Sequence, residues 1–260
     1  MEPSAVVTRG LSRSFGEVVA VQDINLTVES GRFFGFLGPN GAGKSTTIKM
    51  LTGLLAPTTG TIQIAGMDLA THGLEAKRLI GVVPEGMALF GRLTGFEYLR
   101  FVARMYGLPR GQASERAEEL LSFMHLDTEP KKLVTDYSHG MQRKLALAAA
   151  VIHGPRILFL DEPFEGVDAI AAGTLKAMLQ RMTERGATIF LTTHVLEIVE
   201  ALCSHVAIID KGLLVAQGSL EELRAGVAQE GGERLTLEQI FIRIVGGDRS
   251  ADAQELSWLK

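Results

Sequence analysis

Gly38-Pro39-Asn40-Gly41-Ala42-Gly43-Lys44-Ser45-Thr46 decides how the rest of this chain is read. The stretch satisfies G-x-x-x-x-G-K-[ST], and its surroundings have the order that pattern requires. Before it, Phe33-Phe34-Gly35-Phe36-Leu37 is a short apolar run of the kind that forms a buried strand. After it, Lys44 to Leu54 reads as a helix with Ile48, Leu51 and Leu55 on one face. Glycines let the backbone curl so that successive N–H groups point inward, and the new helix adds its free donors and partial positive charge. A polyphosphate fits there. Lys44 is placed to reach the β- and γ-phosphates, and Ser45 to ligate Mg²⁺.

Strands and helices alternate outward from this loop. Val6 to Ser14 and Val18 to Val28 alternate apolar and polar residues about Gly16, the pattern of half-exposed antiparallel strands. Phe15 stands just before that turn. Thr61 to Ile64 and Ile80 to Val83 read as strands, with a turn at Gly66-Met67-Asp68 and a stop at Pro84. Residues 90–153 turn helical, with helices expected over Gly95 to Tyr106, Gln112 to Met124 and Met141 to His153. Apolar strands then return at Ile157 to Leu160, Ala187 to Thr192, Val206 to Ile209 and Leu213 to Gln217. Helices fall between them at Ala169 to Arg185 and Val195 to Leu202. Such alternation predicts an α/β fold with a mostly parallel sheet covered on both faces, an antiparallel β subdomain and a helical insert. The expected division is 1–225 as one domain and 226–260 as a short helical extension. That extension is expected to be broken by the polar Gln229 to Glu233 and to end in an unstructured last dozen residues.

Composition bounds the function. Across 260 residues, 46% are hydrophobic, enough for a sizeable core, and the net charge of −4 argues against a protein built mainly to hold nucleic acid. Cys203 is the sole cysteine, which excludes an internal disulfide and a cysteine-based metal site. The longest nearly apolar run, Leu145 to Ile152, is far short of the ~20 residues a spanning helix needs.

Three further segments carry chemistry. Ile157 to Leu160 ends in Asp161-Glu162-Pro163, and a carboxylate at the carboxyl end of a parallel strand faces the crevice where ligands bind. Asp161 is therefore placed to hold Mg²⁺ with Ser45, and Glu162 to polarise a water. The strand into Thr193 delivers His194 to the same edge of the sheet, where an imidazole could donate to a γ-phosphate oxygen. Ser138 is a natural N-cap for the helix from Met141, and Gly140 offers a free N–H at a second anion-binding helix start.

The whole set resembles the ATP-binding cassette (ABC) ATPases, over about residues 5–225. By that resemblance the fold is a RecA-like P-loop NTPase, and ATP and Mg²⁺ are the cofactors. Phe15 corresponds to the aromatic that stacks on adenine, and Gly38 to Thr46 to the Walker A loop. Ser138-His139-Gly140-Met141-Gln142 corresponds to the signature, and Ile157 to Glu162 to Walker B with the catalytic glutamate. Glu165-Gly166-Val167-Asp168 matches the D-loop, and His194 the switch histidine. Glu85 stands where the family has a glutamine at the Mg²⁺, and His139 where it has a glycine. The family pairs cassettes head to tail on ATP, with Ser138, Gly140 and Asp168 then facing the other copy's nucleotide. The narrower likeness is to exporter cassettes. It implies ATP hydrolysis by Lys44, Glu162 and His194, driving a separate membrane-spanning permease from the cytoplasmic face of the membrane, with no nucleic-acid partner. A soluble ATPase that remodels nucleic acid or ribosomes is the alternative, and a P-loop kinase a third.

Overall fold

A computed structural model describes residues 4–86, 88–227 and 235–246. The polar break expected at 229–233 and the expected unstructured last dozen residues lie outside them. The chain opens with β1 (Ser4–Phe15) and β2 (Val18–Glu29), then β3 (Phe33–Leu37), α1 (Lys44–Leu51), β4 (Thr59–Ile64) and β5 (Met67–Asp68). Next come α2 (Gly73–Arg78), β6 (Ile80–Val83), α3 (Gly95–Met105), α4 (Arg110–Phe123) and α5 (His139–Val151). The second half runs β7 (Ile157–Asp161), α6 (Ala169–Glu184), β8 (Thr188–Thr193), α7 (Leu196–Leu202), β9 (His205–Asp210) and β10 (Leu213–Ser219). Two helices follow, α8 (Leu220–Val227) and α9 (Leu237–Gly246).

Two sheets result. One is antiparallel, in the order β2-β1-β4-β5; the other has the order β10-β9-β3-β8-β7-β6. In the second, β9, β3, β8, β7 and β6 run parallel and β10 closes one edge antiparallel. Every residue of β3, β7 and β8 is buried, as expected for strands covered on both faces. Their side chains divide by the two-residue period between two cores. Phe34, Phe36, Phe159 and Phe190 join α1 and the antiparallel sheet, while Leu37, Leu158, Leu160 and Leu191 join α3, α4 and α5. Phe190 is the hub of the first core, its ring 5.4 to 5.5 Å from those of Phe34, Phe36 and Phe159.

Local chemistry sets the element ends. Thr94 and Glu97 form a reciprocal capping box that starts α3. The α1 helix stops at Leu51, three residues earlier than its periodicity suggests. Gly53 takes φ +66°, Leu54 N–H donates to Lys49 O, and Gly53 N–H to Met50 O. This is a Schellman stop, which satisfies the last carbonyls with a left-handed glycine. Two further features escape the periodicity reading. Met67–Asp68 pairs with Gln63–Ile64 as a short strand rather than serving only as a turn, and α2 is too short to show an apolar stripe.

The helical insert is anchored at His153. Its ring stacks on Tyr106 at 3.6 Å between centroids, and Nε2 lies 3.0 Å from the Ile80 carbonyl. A carbonyl can only accept, so Nε2 carries the proton, and the buried Nδ1 is left without a partner. Burial holds the pKa below the ordinary histidine value; the Arg116 charge acts in the same sense and the Ile80 hydrogen bond against it. Below about pH 6.5 the unfolded chain takes a proton that the folded ring resists. Stability is therefore expected to fall as pH drops through that value toward the folded pKa. His153→Phe, which keeps a ring on Tyr106, should flatten the acid slope of the urea-unfolding free energy between about pH 6.5 and 5. Equal slopes in the two proteins would exclude His153 as the source.

Candidate functional site

Parallel register gathers the site. Leu37 pairs with Thr193, Asp161 with Thr192, and Val83 with Leu160, so β3, β8, β7 and β6 end along one edge. The loop 38–43 leaves β3 at that edge and turns into α1. Two of its glycines are dictated by contact. A Cβ on Gly38 would lie 2.3 Å from the Ile209 carbonyl oxygen, and one on Gly43, at φ +107°, would lie 2.6 Å from that of Ala20. No side chain caps α1 and no acid stands in its first turn, so its first N–H groups remain available to an anion.

Facing this loop is a cleft of about 300 Å³. Of the residues expected from sequence, Asn40, Gly41, Gly43, Lys44, Ser45, Thr46, Glu85, Glu162 and His194 line it. Ala20 and Glu165 line it too, although the sequence reading gave neither a role in binding. Lys44 is buried, and its Nζ donates to the carbonyls of Gly38 at 2.8 Å and Pro39 at 3.3 Å. Ser45 Oγ donates to Glu85 Oε2 at 3.3 Å.

Glu162 turns into the cleft by an uncommon backbone route. Its φ is +48°, a left-handed conformation that costs a non-glycine residue about 1 kcal/mol or more. Its N–H is held by the Thr192 carbonyl at 3.1 Å. Oε1 is buried with no aligned hydrogen-bond donor, although His194 Nδ1 lies 3.0 Å away and Lys44 Nζ 3.8 Å. A buried carboxylate oxygen with an unmatched lone pair is a costly feature to keep in a folded protein, and it leaves an acceptor open. Beside it Asp161, 2% exposed, accepts from Thr192 Oγ1 at 2.5 Å. Thr192 fixes Asp161 through the pairing of β7 with β8, a contact that no sequence spacing reveals.

The remaining expected residues lie elsewhere. Ser138 caps α5, accepting from Met141 N–H at 3.3 Å, and Asp168 caps α6, accepting from Ile170 and Ala171 N–H. The Ala171 hydrogen bond first, and that of Ile170 with it, keep the Asp168 carboxyl below its usual pKa. These two helix starts adjoin: a Cβ on Gly140 would be 3.5 Å from Asp168 Oδ2, and one on Gly166 would be 3.0 Å from the His139 ring. Phe15 is outside the cleft lining, half exposed, with the Arg13 guanidinium 4.6 Å from its ring centre.

The family model described as ABC transporter matches residues 21–165, more than half of the chain. The chain belongs to the ABC transporter family. The linearmycin resistance ATP-binding protein LnrL of Bacillus subtilis is 38% identical over 82% of this chain and 68% of its own length. The Nod factor export ATP-binding protein I of Cupriavidus metallidurans is 39% identical over 83% of this chain and 71% of its own. The probable multidrug ABC transporter ATP-binding protein YbhF of Escherichia coli is 36% identical over 93% of this chain, which spans only 42% of YbhF. A solved ATP-binding subunit of an ABC transporter superposes with TM-score 0.85 at 30% identity, over 92% of this chain and 99% of that one. The protein is thus an ATP-binding cassette of the ATPase type, and no helix among its described residues is long and apolar enough to cross a membrane.

The cassette's own atoms suit both parts of MgATP. The glycine curl packs its backbone on the Ile209 and Ala20 carbonyls and leaves the uncapped start of α1 to an anion, and Glu162 lines the same cleft. Ser45 Oγ and Glu85 Oε2, 3.3 Å apart in the cleft, are hard oxygen donors, while Asp161, a third such donor by chemistry, is buried at the end of β7 against Thr192 and is not in the cleft lining. Among the described residues no three carboxylates or histidines form a closed metal cage, and Mg²⁺ commonly keeps positions for phosphate and water. Lys44→Ala removes a charge-assisted contact worth about 1.5–3 kcal/mol. ATP affinity by calorimetry is expected to fall at least about tenfold; an unchanged affinity would take the Lys44 ammonium out of nucleotide capture.

Proposed function

We propose that this cassette hydrolyses ATP to drive export through a separate membrane-spanning permease, seated on the cytoplasmic face of the membrane. The observation that carries the chemical part is the buried, unmatched Glu162 carboxylate between Lys44 and His194, beside the phosphate loop. The exporter and resistance relatives support the direction of transport, and none of those named above is described as a nucleic-acid or ribosome factor. The proposed unit is 1–225, with 90–153 as its helical subdomain and 226–260 as an extension.

In this reading Gly38, Asn40, Gly41, Gly43 and Thr46 hold the phosphates by backbone N–H groups, and Lys44 binds the β- and γ-phosphates. Pro39, which has no N–H, and Ala42, whose N–H donates to the Pro39 carbonyl at 3.1 Å, shape the curl around them. Phe15 stacks on adenine, its ring turned to solvent and backed by Arg13. Ser45, Asp161 and Glu85 hold Mg²⁺, which when bound supplies charge neutralisation at the β- and γ-phosphate oxygens. Glu162 accepts a proton from, or aligns, the attacking water. His194, half exposed and 3.0 Å from Glu162, orients that carboxylate and donates to a γ-phosphate oxygen. The work of this chain is positioning and electrostatics.

Ser138, Gly140 and Asp168 serve a second copy. Each lies at a helix start or loop outside the cleft, so its natural ligand is a nucleotide held elsewhere. A cassette of the same fold at 23% identity has been solved as a dimer in a post-hydrolysis state with ADP and Pi.

Two measurements test this. Glu162→Gln should bind ATP yet lose hydrolysis by about 100-fold or more. With ATP it should accumulate as a dimer on sizing columns, and Ser138→Arg in the same chain should abolish that species. Hydrolysis at the wild-type rate would remove Glu162 from the chemistry. An ATP dimer that survives Ser138→Arg would remove the head-to-tail arrangement.

A further inference from the structure

The outer side of α3 mixes exposed hydrocarbon with positive charge, and nothing described so far uses it. Arg100, Phe101, Arg104 and Met105 fall on one side of that helix, and all four are exposed. Phe90 stands edge-on to Phe101, 5.5 Å between ring centres. Met105 is 72% exposed, Leu74 of the neighbouring α2 is 66% exposed and Phe90 is 58% exposed. Neighbouring apolar tips left this open to water mark a contact surface.

Cations surround them. Arg110 and Ser114 of α4 border one hollow with Arg100 and Arg104, while Lys77 and Arg78 of α2 border another with Leu74 and Met105. The α2 and α3 helices hold four of these five cations and only two acids, Glu75 and Glu97. Glu97 is taken up by the N–H and hydroxyl of Thr94. None of the five cations forms an ion pair with a carboxylate of the described residues. Neutral groups hold three of them instead. Lys77 donates to the Gly53 carbonyl at 3.0 Å, Arg104 donates to that of Leu108, and Arg100 lies 5.4 Å from the Phe96 ring centre. The charge is thus kept in place and left unneutralised, on a chain whose net charge is −4.

A bilayer boundary suits this arrangement. Headgroup phosphates meet the cations, the basic stems lie along the interface, and the apolar tips enter the edge of the acyl layer. Met105 and Leu74 project well out of the hollow they border, which favours a fluid surface over the fixed shape of an acidic protein segment. We propose that α2, α3 and the start of α4 form a lipid-contact face, which binds an anionic membrane surface directly and without the permease. Its place in transport rests on the membrane seat proposed above. The face shares no residue with the nucleotide cleft lining.

The test is flotation of the full chain with vesicles of phosphatidylcholine alone or with about 30% phosphatidylglycerol. Binding to the anionic vesicles is expected at about 0.1 M salt, at least about tenfold weaker to neutral ones and largely lost at about 0.5 M. Arg100→Glu with Arg104→Glu should weaken it at least about tenfold, and Leu74→Ser with Met105→Ser at least about threefold, with ATP affinity unchanged. Arg9→Glu with Arg185→Glu, the same change in net charge outside this face, should cost less than about twofold. Absence of vesicle binding, or equal losses from the two charge reversals, would overturn the inference. A chain that ignores vesicles yet assembles with its permease would overturn it too, and leave the transport reading standing. Vesicle binding by a chain that assembles with no permease would support the lipid face and remove that reading instead.

Discussion

The parallel register of β3, β8 and β7 is the constraint on which the rest depends. β7 ends in Asp161 and runs on to Glu162, β8 runs on to His194, and β3 leads straight into the phosphate loop; only parallel strands bring three such ends to one edge. What holds them in register is burial on both faces. The period of two sends alternate side chains to different cores, so a slip of one residue would exchange the contents of those cores. The phenylalanine cluster around Phe190 makes that exchange expensive. The leucines on the opposite face would have to fill the space of four aromatic rings.

Against that rigid edge, the loop after β3 works by absence of side chains. Gly38 and Gly43 press their backbones against the carbonyls of Ile209 and Ala20, distances no Cβ would allow. The loop is thus pinned from below by β9 and the first hairpin, while its N–H groups stay free above. Fixed donors on a fixed sheet give an anion site that needs no reorganisation when charge arrives. Acid placed around such a site is tolerable only with counter-charge nearby. Lys44 and the hydroxyls of Ser45 and Thr192 are where this chain supplies it or shares the hydrogen bonds.

Much of this was legible before any coordinates. The strand–loop–helix about Gly38 to Thr46 could be read because glycine spacing and flanking apolar runs are local properties. The same holds for Asp161-Glu162 at a strand end and for Ser138 as a cap. Local chemistry also explains the misses. The α1 helix is cut short by a glycine whose left-handed turn outweighs continued apolar spacing, and α2 and β5 are too short for any period to register. Glu165 stood in a recognised segment without a role in binding. Whether it faces the cleft depends on how the loop after β7 folds back, not on its neighbours in sequence.

By itself, the sequence determined the alternating elements, the phosphate loop and the inventory of charged groups, since propensity, periodicity and glycine freedom act over a few residues. Only the tertiary structure decided which of those groups meet. It placed Thr192 on Asp161 across 31 positions and His194 beside Glu162. It also buried Arg143 on α5 with Nε and Nη1 lacking an acceptor. Strand pairing and helix packing set those distances, and the balance of charge in the cleft is a sum over all of them.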